Sequence, residues 1–470
     1  MVYMVKVDSD NIILGDIVIN NTLYPRKDIN KLVLKFCKKF YKFNAKYIVM
    51  YDRKNIWTFA SIVASIITKK TFVLIPENMD VVNQENVVND LRIDKIYDEN
   101  DLKQLLTSIP ESVDLDLKNV WDKSADDFIA YILYTSGTTG VPKGVEMPFS
   151  AVYNTFQSLR EMYQINESDV IGNLAKWSFD LSIFDFLCSI FIGTKLVCIE
   201  DSKNIQSIHN AITIHKVTLW NSTPQVLGMY MRYLDIFKKK DIDNVRLVFV
   251  SGDKFERQVC NLVRQYFDKA KIISMGGATE CAIWSVYYDC SEGFSEAIAP
   301  YGYALPNQNV EIIYDTDGVG EIVISGKGLA KGYFNNAKKT NEQFKMNKGE
   351  RKYFTGDVGY IDEKGCIFIE GRKDSQVKIK GKRYKLDEIA SMFFVEGFRN
   401  PVSITDKQHT KVAVFIEKNS MDRVTIANII ERSLLKDILN IRDVIELSDF
   451  PITQNGKIDK ISLQEIWYEQ

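Results

Sequence analysis

Little in this chain points to an exported, metal-knotted or membrane-embedded protein. Its seven cysteines (37, 188, 198, 260, 281, 290 and 366) are scattered, odd in number and form no CxxC pair, which argues against a disulfide framework or a zinc site and fits a reducing compartment. No run approaches the roughly 18 apolar residues of a membrane span, and the opening MVYMVKVDSD lacks a charged stretch followed by an apolar one, as a secretory leader would have. The expectation is a cytoplasmic protein that does not enter a membrane. An excess of one charge is missing too. Sixty basic residues stand against 62 acidic ones, a net charge of −2, so no global field favours nucleic acid or an anionic membrane, and any polyanion must be held locally. Lys238, Lys239 and Lys240 read as a solvated face. No repeat at a fixed period and no low-complexity linker divides the chain.

What is present is a long, ordinary globular composition. At 470 residues, 46% of them hydrophobic, 26% charged and 12% aromatic, the chain exceeds a single core and should form at least two domains. Residues 30–43 have helical apolar spacing, residues 47–51 and 71–75 read as short buried strands, and residues 55–68 read as the helix between them, a βαβ rhythm. Strand-like runs at 196–199, 217–220, 245–250 and 272–275 continue it, predicting parallel sheets covered by helices. From about residue 310 the texture changes to short alternating strands at 310–314, 320–325 and 366–370, separated by Gly- and Asp-rich turns. The last hundred residues, with a predicted helix over 424–439, suit a small α+β domain. The expected fold is α/β: a large N-terminal domain over residues 1–373, its β-rich subdomain at about 310–373, and a small C-terminal domain over residues 374–470.

The most informative segment is YTSGTTGVPKG at residues 134–144, delivered by the buried-strand pattern AYILY at residues 130–134. Thr135, Ser136, Gly137, Thr138, Thr139 and Gly140 offer hydroxyls and unencumbered backbone N–H groups, and Lys143 adds an ammonium. These are the groups a polyphosphate needs. The Walker order of Gly-x-x-x-x-Gly-Lys-Ser/Thr is absent, so this is a phosphate loop of another kind.

The segment resembles the signature of the adenylate-forming superfamily of acyl-CoA ligases, luciferases and nonribosomal peptide synthetase adenylation domains. Further matches follow in that family's order: FDLSIFD (179–185), GGATE (276–280), GEIVISGKGLAKGY (320–333), FTGD (354–357), GRKDSQVKIKGKRYKLDEI (371–389) and PITQNGKID (451–459). The resemblance implies an enzyme that joins a carboxylate to ATP, with Mg²⁺. It implies that Glu280 holds the metal, that Thr279 contacts phosphate, and that Lys457 bridges carboxylate and phosphate in the transition state. Offsetting the repulsion between a carboxylate and a polyphosphate requires such cations. It also assigns Asp357 to the ribose hydroxyls, Arg372 to ribose or phosphate, Gly276, Gly277 and Ala278 to the nucleotide, and Asp374 to a hinge about which the C-terminal domain swings. In the second state residues 376–381 would face a thiol acceptor. Gly276 stands where many relatives carry an aromatic against adenine, and Phe354 replaces a common Arg.

Within that family, an aspartate at the place of Asp180 pairs with the α-ammonium of an amino acid. The other pocket positions implied by resemblance are Leu181, Phe184, Asn221, Phe249, Ser251, Met275, Ile283 and Trp284. With Phe184, Phe249 and Trp284 filling space, the expected substrate is a small amino acid, and the set looks most like that of cysteine-activating domains. Alanine, serine and glycine stay open, since an apolar pocket separates a methylene or hydroxyl by only ~1–3 kcal/mol. No Gly-x-Ser segment of a carrier domain is present, so the expected acceptor is a separate phosphopantetheinylated carrier protein, with coenzyme A an alternative. A D-alanine–carrier protein ligase is the nearer rival reading, and a nucleotide-binding module without turnover the farther one.

Overall fold

The computed structural model describes residues 13–107, 127–135, 142–239, 242–314, 320–373, 376–379, 382–398, 400–406, 411–418, 423–432, 435, 438–451 and 458–469. The chain divides into two compact units, one of residues 1–310 with 324–354 and one of residues 311–323 with 355–470. The expected boundary at residue 374 falls inside the second unit.

The first unit is built on a nine-stranded sheet, in the order Tyr303–Ala304, Val286–Asp289, Lys271–Gly276, Leu247–Ser251, Leu219–Ser222, Val170–Asn173, Lys195–Cys198, Ile17–Ile19 and Thr22–Tyr24. The six strands from Lys271–Gly276 to Ile17–Ile19 are parallel to their neighbours, and antiparallel strands flank them. Central strands such as LVFVS at Leu247–Ser251 are buried at every position, which is why they read as continuous apolar runs rather than alternating ones. The crossover helices carry their own start and stop signals. Asn204 caps Ile205–His215 by accepting from Ser207 N, and Lys216 ends it in the left-handed region; Pro224 opens Pro224–Phe237 at its first turn, where a missing N–H costs nothing. Arg257–Tyr266 buries Val259, Cys260, Val263 and Tyr266, one helical face, against Trp220, Tyr230, Val248 and Ile272 in a shared core.

A second, five-stranded sheet runs Gly332–Tyr333, Lys143–Pro148, Ile129–Thr135, Thr71–Ile75, Tyr47–Tyr51. Its last three strands are parallel, and the first two antiparallel. The connecting helix Ile56–Ile67 is buried at nearly every position, capped by Asn55 accepting from Thr58 N. A third sheet holds Gln308–Tyr314, Gly320–Gly326, Glu350–Ile361 and Phe344–Asn347, with Ile367–Arg372 paired to Glu350–Ile361. The chain passes between the units within these strands, the β-rich stretch expected from about residue 310.

The second unit continues with the hairpin Gln376–Ile379 and Lys382–Lys385 and a three-stranded sheet of Val402–Thr405, Val412–Glu417 and Val444–Leu447. Leu386–Val395 and Arg423–Arg432 cover one face around Phe393, Val414, Ile416 and Ile426, and Lys460–Tyr468 covers the other with Leu463 against Phe415 and Ile445. The helix expected over 424–439 is shorter. It ends at Arg432 among the described residues, and Ile438 and Leu439 donate back to Leu435 O in a turn. All three side chains are buried.

Candidate functional site

Because the central strands are parallel, their C-terminal ends share one edge of the sheet, the edge where α/β sheets hold ligands. Asn173, Ser222, Ser251 and Gly276 end four neighbouring strands there. Of the residues singled out in sequence, Ser251 and Gly276 end two of these strands, and Asn221 is one residue from the end of a third.

Asp180 begins the helix Leu181–Phe191 in helical conformation without capping it. Its carboxylate is 5% exposed and accepts a 2.6 Å hydrogen bond from Thr279 Oγ1. The residue expected to meet the amino group and the residue expected to meet phosphate are therefore in direct contact. The segment before Asp180 is held by Asp52, whose carboxylate accepts from Trp177 N and Ser178 N, both at 3.0 Å, and from Ser178 Oγ at 2.5 Å. Below it, Asp185 is fully buried and accepts from Asn173 Nδ2 and Asn221 Nδ2, both at 2.9 Å. Burial pushes the Asp185 carboxyl up to about 7, against the pull of Asn221, Asn173 and the Lys54 charge. Lys54 Nζ in turn caps Asn173 O and Ile199 O at 2.9 and 2.8 Å.

Phe184, Phe249 and Trp284 form a mutual ring cluster with centroid separations of 5.3–5.6 Å. Leu181, Asn221, Ser251, Met275 and Ile283 are buried with them. Backbone geometry aims the last two residues of the set. Trp284 N donates to Ala282 O across Ile283, whose φ is +73°. That is the strained three-residue turn, in a conformation unfavourable for a β-branched side chain. Strain of this kind is kept where the surrounding structure needs a particular aim.

Glu280 sits in the short 3-10 turn Thr279–Cys281. Its Oε1 accepts from Tyr333 OH at 2.7 Å, and its carbonyl from Ala330 N at 2.8 Å. Tyr333 comes from the strand paired to Lys143–Pro148, and Arg351 holds its approach by donating to Ala330 O and Lys331 O. The Lys143 ammonium lies below its ordinary pKa through burial and the neighbouring Lys339, with Glu280 pulling the other way. Lys143 and Gly144 line a recess of about 270 Å³ with Asp90, Tyr134, Tyr333 and Asn335. Thr135 closes its strand with Oγ1 3.4 Å from Lys143 O, while Ser136, Gly137, Thr138, Thr139 and Gly140 lie outside the described residues.

The glycines of GGATE are there for close approach. A Cβ on Gly277 would meet Ile283 O and Trp284 Cα at 2.6 and 2.7 Å, and one on Gly276 would meet the Tyr301 ring at 2.0 Å. Tyr301 thus occupies the space that a side chain at 276 would fill. Ala278 follows as the extended residue before the turn. In the second unit, Asp357 and Arg372 face each other across paired strands and share a 3.1 Å ion pair, with Arg372 also donating to Thr355 O. Asp374 and Lys457 lie outside the described residues.

Sequence reading singled out Asp180, Thr279 and Glu280 but not the residues that bond and support them. Asp185 and Tyr333 were inside quoted motifs and carried no distinguishing mark there. Asp52, Asn173 and Tyr301 had no sequence signal, since only the fold brings them in.

Residues 54–334 match the profile described as AMP-binding enzyme, and the chain belongs to that family, the adenylate-forming superfamily. It is 31% identical over 361 residues to bacitracin synthase 1 of Bacillus licheniformis, covering 73% of this chain and 7% of that protein. To pyochelin synthetase PchF of Pseudomonas aeruginosa it is 38% identical over 277 residues, covering 57% of this chain and 15% of that protein. The chain therefore spans a small part of these curated relatives. The crystal structure of the Vibrio cholerae adenylation domain AlmE in complex with glycyl-adenosine-5'-phosphate superposes with a TM-score of 0.70 at 20% identity, covering 100% of this chain and 97% of that one. At that identity the likeness concerns the fold.

Proposed function

We propose that this protein activates a small amino acid, L-cysteine first among the candidates, as its aminoacyl-AMP and then passes the acyl group to the phosphopantetheine thiol of a separate carrier protein. In the first step a substrate carboxylate oxygen attacks the α-phosphorus of ATP, the bond from that phosphorus to the bridging oxygen breaks, and pyrophosphate leaves. In the second, the carrier's thiolate attacks the acyl carbon and AMP departs with the bond electrons. The observation that carries this reading is the buried Asp180 carboxylate bonded to Thr279, itself one residue from Glu280 along the chain. By resemblance that carboxylate receives the α-ammonium of an amino acid, and its bond to Thr279 would bring that end of the substrate beside the phosphate-binding turn.

The donor set around Glu280 suits Mg²⁺. One carboxylate stands there, and among the described residues no group of three metal-ligating side chains gathers. This fits an ion held mainly by substrate phosphates and water rather than by a protein cage. When bound, the ion offsets phosphate charge. Glu280 would hold it, Tyr333 would fix the carboxylate that does so, and Lys143 and the hydroxyls of residues 135–139 would receive the leaving pyrophosphate. Resemblance assigns Asp357 and Arg372 to the ribose, Lys457 to the reacting oxygens and Asp374 to the hinge.

Amino-acid-dependent exchange of pyrophosphate into ATP tests the proposal. Exchange should appear with cysteine above alanine, serine and glycine, and D-alanine in place of cysteine would select the cell-wall ligase reading. Exchange with none of the twenty amino acids by folded protein in the presence of Mg²⁺ would sink it. Lys457→Ala should lower the exchange rate by about 10²-fold or more, the scale of losing one transition-state charge partner, with an unaltered circular dichroism spectrum. An unchanged rate would remove Lys457 from the chemistry.

A further inference from the structure

The hydrogen bonds beneath Asp180 leave one arrangement open. Asn173 and Asn221 are register partners on adjacent parallel strands, so their side chains leave the sheet on the same face. Asp185, on the helix Leu181–Phe191, reaches between them, Oδ2 accepting from Asn173 Nδ2 and Oδ1 from Asn221 Nδ2. The second amide hydrogen of Asn221 goes to Leu181 O at 3.1 Å, and Asn173 Oδ1 accepts from Trp177 Nε1 at 2.9 Å. Asn173 is thereby oriented at both ends of its amide, and Asn221 through both hydrogens of its Nδ2. Only a group that accepts on both oxygens satisfies them together, which an ionised carboxylate does and an amide does not. An asparagine at 185 would turn an NH₂ toward one neighbour. If Asn173 flipped to receive it, two donors would meet at Trp177; if Asn221 flipped, Leu181 O would lose its donor and the outward atom of Asn221 would change from oxygen to nitrogen.

That outward atom is Asn221 Oδ1, buried and without a hydrogen-bond partner among the described residues, and it has company. Phe249 is the register partner of Asn221, and Ser251 lies two residues further along the same face, while Thr223 follows the strand as the residue before the helix Pro224–Phe237. Ser251 Oγ and Thr223 Oγ1 are likewise buried without a partner among the described residues. Asn221 Oδ1 can only accept, so this buried atom at the ligand edge asks for a bound group that brings a hydrogen.

We propose that Asp185 is a positioning residue for substrate selection: it holds Asn221 with its oxygen toward the amino-acid side chain, and that side chain carries a thiol or hydroxyl hydrogen. The inference rests on the amino-acid reading of Asp180 given above and deepens it. Asp185 itself touches no substrate.

The test is exchange with cysteine, serine and alanine by the wild type, Asp185→Asn, Asn221→Ala and the double variant, with thermal melts as a folding control. For Asp185→Asn the KM for the preferred thiol or hydroxyl substrate should rise about tenfold, with the KM for ATP within about twofold. Its kcat/KM advantage over alanine should fall by a similar factor. Asn221→Ala should show the same loss, and the double variant no more than Asn221→Ala alone, because both act at one oxygen. Several outcomes would overturn the inference: alanine preferred by the wild type, an unchanged preference in Asp185→Asn, equal losses in both KM values, or additive effects in the double variant. If Asp185→Asn does not fold, an unchanged preference in Asn221→Ala overturns it instead. Wild-type exchange with no amino acid removes the functional reading and this inference together, whereas normal exchange with unaltered selectivity removes this inference alone.

Discussion

Asp185 shows how much a single buried carboxylate can be asked to do. Its ionised form suits two amide donors, yet burial drives the carboxyl from its ordinary 3.8 up to about 7, and only Asn221, Asn173 and Lys54 oppose that rise. The folded state therefore binds a proton that the unfolded state has released throughout the interval between those values. Where the native form holds more protons, stability falls as pH rises. The urea midpoint of the wild type relative to Asp185→Asn should accordingly decline from about pH 4 to pH 7 and level off above it. Each tenfold change in proton affinity corresponds to ~1.4 kcal/mol, so the total amounts to a few kcal/mol at most. A relative midpoint that stays flat across that interval would show that Asp185 ionises as freely as it does in the unfolded chain. Residues of this kind are what sequence reading misses. Asp180, Thr279 and Glu280 were legible because their motifs keep a fixed order along the chain, whereas Asn173, Asp52 and Tyr301 act across separations that local pattern does not encode. Tyr301 against Gly276 is the plainest instance, since the glycine was visible and the ring filling its space was not.

At the level of elements, the sequence was informative wherever one strand or helix could be read by itself. Apolar runs such as TFVLI at Thr71–Ile75 and YIVMY at Tyr47–Tyr51 are strands at the expected residues, because full burial leaves little choice of register. Sheet order was not legible, since it depends on which crossover pairs which strands. Asp169 illustrates a tie that only this order explains. It precedes the strand Val170–Asn173, is 2% exposed, and accepts from Arg246 Nε and Nη2 at 2.7 and 2.6 Å and from Thr218 Oγ1 at 2.8 Å. The starts of three neighbouring parallel strands are thereby joined, at the end of the sheet away from Asp180. Burial alone would raise this carboxyl, but Arg246, Asn166 and Thr218 hold it below the usual range, so its contribution is present at neutral pH and is lost on acidification through that lowered value. Asp169→Ala leaves the Arg246 charge half-covered and takes from Thr218 its shorter acceptor, with Val170 O at 3.4 Å remaining. We expect a loss of about 2 kcal/mol in a urea unfolding curve, below the ~3–5 kcal/mol of a fully buried pair because Arg246 is partly solvated. The KM values for ATP and amino acid should not move. A twofold or larger change in either would mean that the two ends of the sheet are coupled.

Across the whole molecule, the seven cysteines report on both units at once. Each is a buried thiol outside any disulfide; burial pushes the thiols of Cys37, Cys188 and Cys281 up, with Cys198 reaching about 12, while the hydrogen bond with Cys290 draws the fully covered Cys260 down. Thiolate is the reactive form, and a covered thiol offers little of it. The native protein should therefore show less than about one thiol to Ellman's reagent over several minutes, and all seven in strong denaturant. One fast thiol in native buffer would mean that some part of the chain opens far more readily than its packing implies. The distribution adds a second reading. Six cysteines belong to the first unit and Cys366 to the second. The two units have separate apolar clusters, around Trp220 and Ile272 in one and Phe393 and Val414 in the other. Domains with separate cores commonly lose their structure in separate steps. Raising denaturant slowly should then release one thiol and six thiols at distinct midpoints, and replacing Cys366 with serine should erase the one-thiol step and leave the other in place. Release of all seven in a single step, with that variant losing only amplitude, would show that the two units unfold as one cooperative body.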